Sequence, residues 1–312
     1  MAEPDCFIPR YQENLPLRDF STLQIGGPCS YFTSISTLED WIAAIRWSRK
    51  RNIRLLIIGE GSNLLFPDSG FPGLVARNEI GGLTREGVEI EVGGGKNLGE
   101  VIRFLNQQGL EGMERMYGIP GTVAGAVVGN AGAYGQEISD HITEVDVWAG
   151  DVLRTFTRNE LGFAYRSSRF KTEPDWFASR LRFKFQKSGS DLQAMSDVIL
   201  ARRSEKYPPG LKCPGSFFKN VLVEQLTPEQ LRNIPKGFIQ FGKIPAGRLL
   251  EFVGAKGASR GMACFADYHA NLVLNRGGAT ASDILNLADE YSGRVRERFG
   301  IQLEPEIQII PS

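Results

Sequence analysis

The stretch "GIPGTVAGAVVGNAGAYG", Gly118 to Gly135, limits this chain most: ten of its eighteen residues are glycine or alanine. Small residues let another group come up against the backbone, and glycine also admits positive φ. The proline, asparagine, tyrosine and spaced valines set it apart from a low-complexity linker. A second small-residue motif, "GEGSNLL" (Gly59 to Leu65), follows the apolar run "IRLLIIG". Backbone amides in a glycine-rich turn can converge on an anion, and Ser62 and Asn63 add side-chain donors. Tight turns and close packing make the competing reading. Neither motif has the G-x-G-x-x-G dinucleotide fingerprint before a helix, and neither is a Walker A loop. Two separate glycine-rich elements point to a pyrophosphate held between two subdomains, and so to a dinucleotide-type cofactor. Glycine is enriched throughout: 36 residues in 312, where average usage gives about 22.

Composition excludes several other classes. Lysine plus arginine and aspartate plus glutamate both number 36, which gives no electrostatic reason to expect nucleic acid or an anionic membrane as partner. Cys6, Cys29, Cys213 and Cys264 form no C-x-x-C pair, and the only histidines are His141 and His269. No metal site is expected. The N-terminal "MAEPDCFIPRYQENLPL" lacks an apolar signal core, and no run of about 18 apolar residues suggests a membrane span. A reduced, cytoplasmic protein is expected.

Strand and helix patterns alternate along the chain. "LEDWIAAIRWSRKRN" puts Leu38, Trp41, Ile42 and Ile45 on one helical face. "IRLLIIG" reads as a buried strand, and Val88 to Val92 as another. Leu98, Val101, Ile102 and Leu105 form the inward face of a helix closed by Gly109. Strands follow near "ITEVDVW" and "RLRFKF". The helix "LQAMSDVILARRSEKY" stops at Tyr207-Pro208-Pro209-Gly210, which places a domain boundary near residues 188–210. Beyond it come a loop, a helix and a strand. A strong helix follows, with Ile284, Leu287, Ala288, Tyr291, Val295 and Phe299 as its stripe and Thr280 and Asp283 as a capping pair. "IQLEPEIQII" reads as a closing strand.

The motifs "STLQIGGPCSYF", "GEGSNLL", "GIPGTVAGAVVGNAGAYG", "YRSSRF", "PGSFFKN", "AGRLLEFVGAKG", "HANLVLN" and "LEPEIQII" occur in the order found in the UDP-N-acetylenolpyruvoylglucosamine reductase (UDP-N-acetylmuramate dehydrogenase) family. They span residues 21 to 310, and as an ordered set they resemble that family closely. The resemblance implies an α+β chain: a two-subdomain FAD-binding fold of the vanillyl-alcohol-oxidase/PCMH type plus a C-terminal α+β substrate domain. The expected division is 1–79 with the strand 301–312, then 80–200, both for FAD, and 201–300 for substrate. FAD binds non-covalently in the family. One loop, Gly59, Glu60, Gly61, Ser62, Asn63 and Leu64, is thereby assigned to it. So are Gly118, Ile119, Pro120, Gly121, Thr122 and Gly125, and also Asn130, Ala131, Gly132 and Ala133.

The implied reaction reduces an enolpyruvyl ether of a UDP-sugar to a lactyl ether, with NADPH as reductant. It needs a cation at the carboxylate, electrostatic control of an enolate-like charge, and an acid over C2. By the resemblance Arg166 in "YRSSRF" is the cation, able to hold a carboxylate through two parallel hydrogen bonds. Ser216 in "PGSFFKN" is the proton donor, and Glu306 in "LEPEI" is the catalytic carboxylate. Glu304 falls on the same face of the expected strand and is the fallback for that role. Tyr165, Lys219, Asn220, Lys256 and His269 are the expected substrate contacts, Lys256 for a diphosphate. A structural role for His269 stays open.

The chain departs from the family pattern at Ser21 for asparagine, Ala124 for glycine, Gly129 for methionine and Val221 for proline, and "CPGS" is one residue short. The 50-residue interval from Arg166 to Ser216 resembles the form lacking an extra substrate loop. Two alternatives remain: another FAD oxidoreductase of the same fold, and a non-catalytic flavin-binding module. A monomer is favoured over an oligomer.

Overall fold

The computed structural model describes residues 10–150, 152–173 and 175–312. Cys6 and most of the acidic N-terminal segment lie outside the described residues. Contacts divide the chain into two compact units. The first holds the described residues up to Leu15, Cys29–Glu60 and Pro72–Pro208; the second holds Pro16–Pro28, Gly61–Phe71 and Pro209–Ser312.

In the first unit, β1 (Gln12–Pro16), β2 (Pro28–Ile35), β3 (Arg54–Ile58) and β5 (Phe71–Asn78) make a four-stranded sheet in the order β1-β2-β5-β3. A two-residue strand β4 (Leu64–Leu65) intervenes in the chain. Helix α1 (Leu38–Arg51) begins at a capping box between Thr37 and Asp40 and ends at Asn52, whose φ of 52° closes it in the left-handed region. Trp41 and Ile45 are buried, with Leu38 and Ile42 packed partly against the same cluster. Trp41 stacks on Phe177 with ring centroids 4.4 Å apart. The run Arg54–Ile58 is less buried than its apolar sequence suggests, because β3 is the edge strand beside β5.

A five-stranded antiparallel sheet runs in the order Val152–Thr157, Ile142–Ala149, Trp176–Lys184, β7 (Glu89–Gly93) and β6 (Leu83–Glu86). Helix α2 (Leu98–Gln107) starts at Asn97, whose side chain accepts from the Glu100 amide. Leu98, Val101, Ile102 and Leu105 are all buried beneath it, as their spacing predicts. Helix α3 (Val123–Val128) is formed by the small-residue stretch, and α4 (Leu192–Lys206) ends the unit with a narrow buried stripe of Leu192, Ser196 and Ile199.

The core of the second unit gathers Phe217, Leu249, Phe265, Ile284, Leu287 and Phe299 around the helices Ala246–Phe252 and Ala281–Phe299. The long helix has the expected capping box between Thr280 and Asp283 and ends at Gly300 with φ 70°. Its first amides are also held by Asp68, which accepts from Ala281 at 2.7 Å. The expected closing strand over 301–310 is corrected here. Only Gln308–Ile309 form strand, parallel to β4. Pro305 has no N–H to donate, and the residues around it make a single bridge, Phe218 to Pro305.

Candidate active site

The first glycine-rich loop leaves β3 at Gly59. A Cβ there would lie 2.6 Å from Thr122 Oγ1. Glu60 follows, its Oε1 accepting from Asn97 Nδ2 at 2.8 Å. Gly61 has φ +67° and an added Cβ would fall 1.8 Å from the Phe20 carbonyl oxygen, so no other residue fits. Its own carbonyl accepts from Thr22 N at 3.2 Å, and the Ser62 carbonyl accepts from Thr22 Oγ1 at 3.4 Å. Asn63 donates its side-chain amide to the Glu306 carbonyl at 3.1 Å, and Leu64 enters β4. Much of the glycine content in this loop therefore serves the protein's own close approaches.

The second stretch is different. Gly118 and Gly121 have φ of 81° and 120°. Thr122 caps α3 by accepting from Gly125 N at 3.1 Å, and Val123, Ala124, Ala126 and Val127 are buried. Gly125, between them, is exposed. A Cβ at Gly125 would meet only Thr122 Oγ1 at 3.3 Å, and one at Gly129 only the Gly125 carbonyl at 3.9 Å. Gly125 lies inside the helix, where glycine costs about 1 kcal/mol against alanine, and Gly129 caps it; an added Cβ at neither would meet backbone closer than 3.9 Å. A cavity of about 250 Å³ beside the same stretch is lined by Glu60, Asn97, Tyr117, Gly118, Ile119 and Pro120 among others. It has room for part of a dinucleotide. The residues present thus fit a bound FAD.

Past α3, Ala133 and Gly132 pair with Gln136 and Glu137, and Ala131 donates to the Ala126 carbonyl at 2.7 Å. Asn130 is buried with φ 43°. Its side chain donates to Glu137 Oε2 at 2.8 Å and to the Ala164 carbonyl at 3.0 Å, so its amide is a structural hub. Arg166 also has positive φ, 52°. Its Nη2 donates to the Gly132 carbonyl at 2.7 Å and its Nη1 to the Asn130 carbonyl at 3.4 Å. The guanidinium sits 5.4 Å from the centroid of the Tyr165 ring. Arg166, Tyr165, Asn130 and Gly132 are thus brought together in the first unit.

Arg203 joins this group from α4 without a local sequence signal. It lies on α4 close enough to Gly118 that a Cβ there would be 3.3 Å from its Nε. That Nε is buried without an acceptor among the described residues. Burial lowers the guanidinium's affinity for its proton, Tyr207 and Tyr134 oppose this, and the charge of Arg166 lowers it again. The charges of Arg203 and Arg166 oppose each other, and a pair of guanidinium groups so placed suits an anionic group. The sequence shows only a basic run, "ARRSEK", which on a helix reads as a solvated face.

In the second unit the strip Ser216–Lys219 is held along two sides. Ser216 bridges to Leu272, and Phe217 N donates to the Asn271 carbonyl at 2.9 Å. The buried side chain of Asn271 accepts from Phe218 N at 2.9 Å and donates to the Phe218 carbonyl at 2.8 Å. On the other side Glu306 N donates to the Phe217 carbonyl at 2.7 Å, and Lys219 N to the Glu304 carbonyl at 2.9 Å. Ser216 and Glu306 are both half-buried. Glu304 is exposed and pairs with Lys219 Nζ at 3.1 Å, which takes up the charge of its side chain. Asn220 Oδ1 accepts from Ala246 N at 3.2 Å and so caps the helix Ala246–Phe252. Lys256 forms an ion pair with Glu251. His269 Nδ1 accepts from Asn271 N at 3.2 Å, which leaves Nε2 as the donor tautomer.

Comparison with known proteins adds two family matches. Residues 30–153 match a family described as FAD binding domain. Residues 207–310 match UDP-N-acetylenolpyruvoylglucosamine reductase, C-terminal domain. The chain is 41% identical over 297 residues to the UDP-N-acetylenolpyruvoylglucosamine reductase of Solibacter usitatus (strain Ellin6076), covering 95% of each chain. It is 34% identical to the one from Aquifex aeolicus (strain VF5), covering 97% of this chain and 96% of that one. The fold is similar to the crystal structure of the Thermus caldophilus UDP-N-acetylenolpyruvylglucosamine reductase, with TM-score 0.75 and 29% identity over 97% of this chain and 99% of that chain. The α+β FAD-binding fold with an α+β C-terminal domain is therefore established.

Proposed function

The chain belongs to the UDP-N-acetylenolpyruvoylglucosamine reductase family, and from that premise we propose how its residues carry the reaction. It is an FAD-dependent oxidoreductase that uses NADPH to reduce UDP-N-acetylglucosamine enolpyruvate to UDP-N-acetylmuramate. FAD, when bound, supplies the hydride, taken from NADPH, to C3 of the enolpyruvyl group. Every other task falls to side chains of this protein.

Arg166 receives the substrate carboxylate and stabilises the negative charge that develops there. Its hydrogen bonds to the Gly132 and Asn130 carbonyls fix the guanidinium before substrate arrives. Arg203 adds a second positive group for an anionic part of the substrate. Ser216 donates the proton that C2 needs. A serine hydroxyl is a weak acid, so a neighbouring group must stabilise or replace the lost proton. Glu306 is the residue for that task, because its backbone N–H is tied to the carbonyl of the residue after Ser216. This bond is the observation that carries the assignment. Lys219, Asn220, Lys256, His269 and Tyr165 are assigned to the UDP-sugar. Gly59–Leu64, Gly118–Thr122, Gly125 and Asn130–Ala133 are assigned to FAD.

The same reading gives residues 1–79 with 301–312, and 80–200, to FAD, and 201–300 to the sugar nucleotide. Among the described residues no helix is long and apolar enough to cross a membrane, and we place the reaction in the cytoplasm with a monomer as the working unit. Steady-state NADPH oxidation tests the function. It should depend on UDP-N-acetylglucosamine enolpyruvate and yield UDP-N-acetylmuramate by mass. Oxidation that proceeds equally without the enolpyruvyl compound would refute it.

A further inference from the structure

Asn63 stands in the loop assigned to the cofactor, yet its side chain is directed at the segment that carries Glu306. Pro305 precedes Glu306, and around it only the single bridge from Phe218 is made, so the segment is not part of a continuous strand. Hydrogen bonds from two directions fix the segment. Glu306 N donates to the Phe217 carbonyl at 2.7 Å. The Glu306 carbonyl accepts from Asn63 Nδ2 at 3.1 Å. Gln308 N donates to the Asn63 carbonyl at 2.9 Å, and Ile310 N to the Leu65 carbonyl at 3.0 Å. Asn63 makes two of these, one on either side of Ile307.

We propose that Asn63 is a positioning residue for Glu306: its side-chain amide holds the Glu306 carbonyl and so fixes the peptide that follows the carboxylate-bearing residue. The inference rests on the reading that Glu306 is the catalytic carboxylate. Glu306 is anchored at its N–H to the Ser216 strip and at its carbonyl to Asn63, so its Cα–Cβ direction is set from both ends. Loss of the Asn63 donor leaves the peptide after Glu306 able to rotate, and a small misplacement of a reacting group costs rate steeply. The glycine-rich loop then has two duties. Its backbone is assigned to the cofactor, while one of its side chains orients the carboxylate.

The test uses the FAD-loaded protein and follows the two half-reactions separately without air. Asn63→Ala and Asn63→Asp both remove the amide donor; the aspartate variant keeps the shape. Because the loop is also assigned to FAD, each variant is loaded with FAD and its reoxidation is read against its own rate of flavin reduction by NADPH. Reoxidation by saturating UDP-N-acetylglucosamine enolpyruvate should fall roughly tenfold to 100-fold. Glu306→Gln should slow the same half-reaction, and adding Asn63→Ala to it should slow it little further, because the two act as one unit. If Glu306→Gln is slow but both Asn63 variants reoxidise normally, the positioning role is overturned while the role of Glu306 stands. If Glu306→Gln reoxidises normally, the reading of Glu306 fails and the inference with it. If both Asn63 variants lose flavin or slow both half-reactions alike, Asn63 is a cofactor-holding residue and the inference is overturned.

Discussion

The backbone N–H of Glu306 donates to the carbonyl of Phe217 at 2.7 Å, which locks the carboxylate-bearing residue to the one that follows Ser216. The proposed proton donor, Ser216, and the proposed catalytic carboxylate, Glu306, thereby share one hydrogen-bonded strip. Ser216→Ala removes the hydroxyl and leaves this backbone bond intact. It should leave flavin reduction by NADPH at the wild-type rate and slow reoxidation by the enolpyruvyl substrate by roughly 100-fold or more. Stopped-flow absorbance resolves the two steps.

Arg166 holds two motif carbonyls with a planar fork, which lysine cannot reproduce. Arg166→Lys keeps the charge and should still lose roughly 100-fold in kcat/KM. The protein should melt close to wild type, since the residue is only half-buried. Steady-state kinetics with a thermal melt would separate the two effects.

Two glycines should respond in opposite ways. Gly61→Ala drives a Cβ to within 1.8 Å of the Phe20 carbonyl at a positive φ, and should abolish soluble folded protein. Gly125→Ala meets only Thr122 Oγ1 at 3.3 Å. Its cofactor-free stability should stay within about 1 kcal/mol of wild type, while its affinity for FAD falls. Chemical unfolding of the cofactor-free protein and FAD titration would check both.

Asn271 clamps Phe218 by both its N–H and its carbonyl. Both backbone groups are buried, so Asn271→Ala leaves them without partners and should cost about 1–3 kcal/mol for each unsatisfied group. Urea unfolding measures this directly.

Asp146 is pushed up by burial, but hydrogen bonds from Arg182 and Thr155 outweigh this and hold its carboxyl below the ordinary value. Both Arg182 Nη atoms reach it at 3.0 Å. A depressed folded pKa means the stabilisation is complete above the unfolded value of about 3.9 and is lost as pH falls through the folded one. Asp146→Asn should lower stability at pH 7 by about 1–3 kcal/mol, and the gap from wild type should close in strong acid. Unfolding curves across that range would show whether it does.

Helices were the most legible elements, because their periodicity and caps act locally: Thr280 with Asp283 marks the start of the long helix, and the stripe from Ile284 to Phe299 is buried as spaced. Arg54–Ile58 and the closing segment were less so. The first is half-buried because it is an edge strand, and the second is interrupted by Pro305; neither condition is visible in apolar spacing. Arg166, Ser216 and Glu306 were placed only through family resemblance, since a lone serine or arginine carries no local signal. Arg203 gave none either, because its burial depends on Gly118 from a segment about eighty residues away. Asn63 was legible as a loop donor, but its partner, Glu306, lies 243 residues further on.

The most direct test of the central claim is a visible spectrum of the purified protein followed through one anaerobic cycle. Bound flavin should bleach on adding NADPH and return fully on adding UDP-N-acetylglucosamine enolpyruvate. A spectrum that returns only when oxygen is admitted would contradict the reductase account.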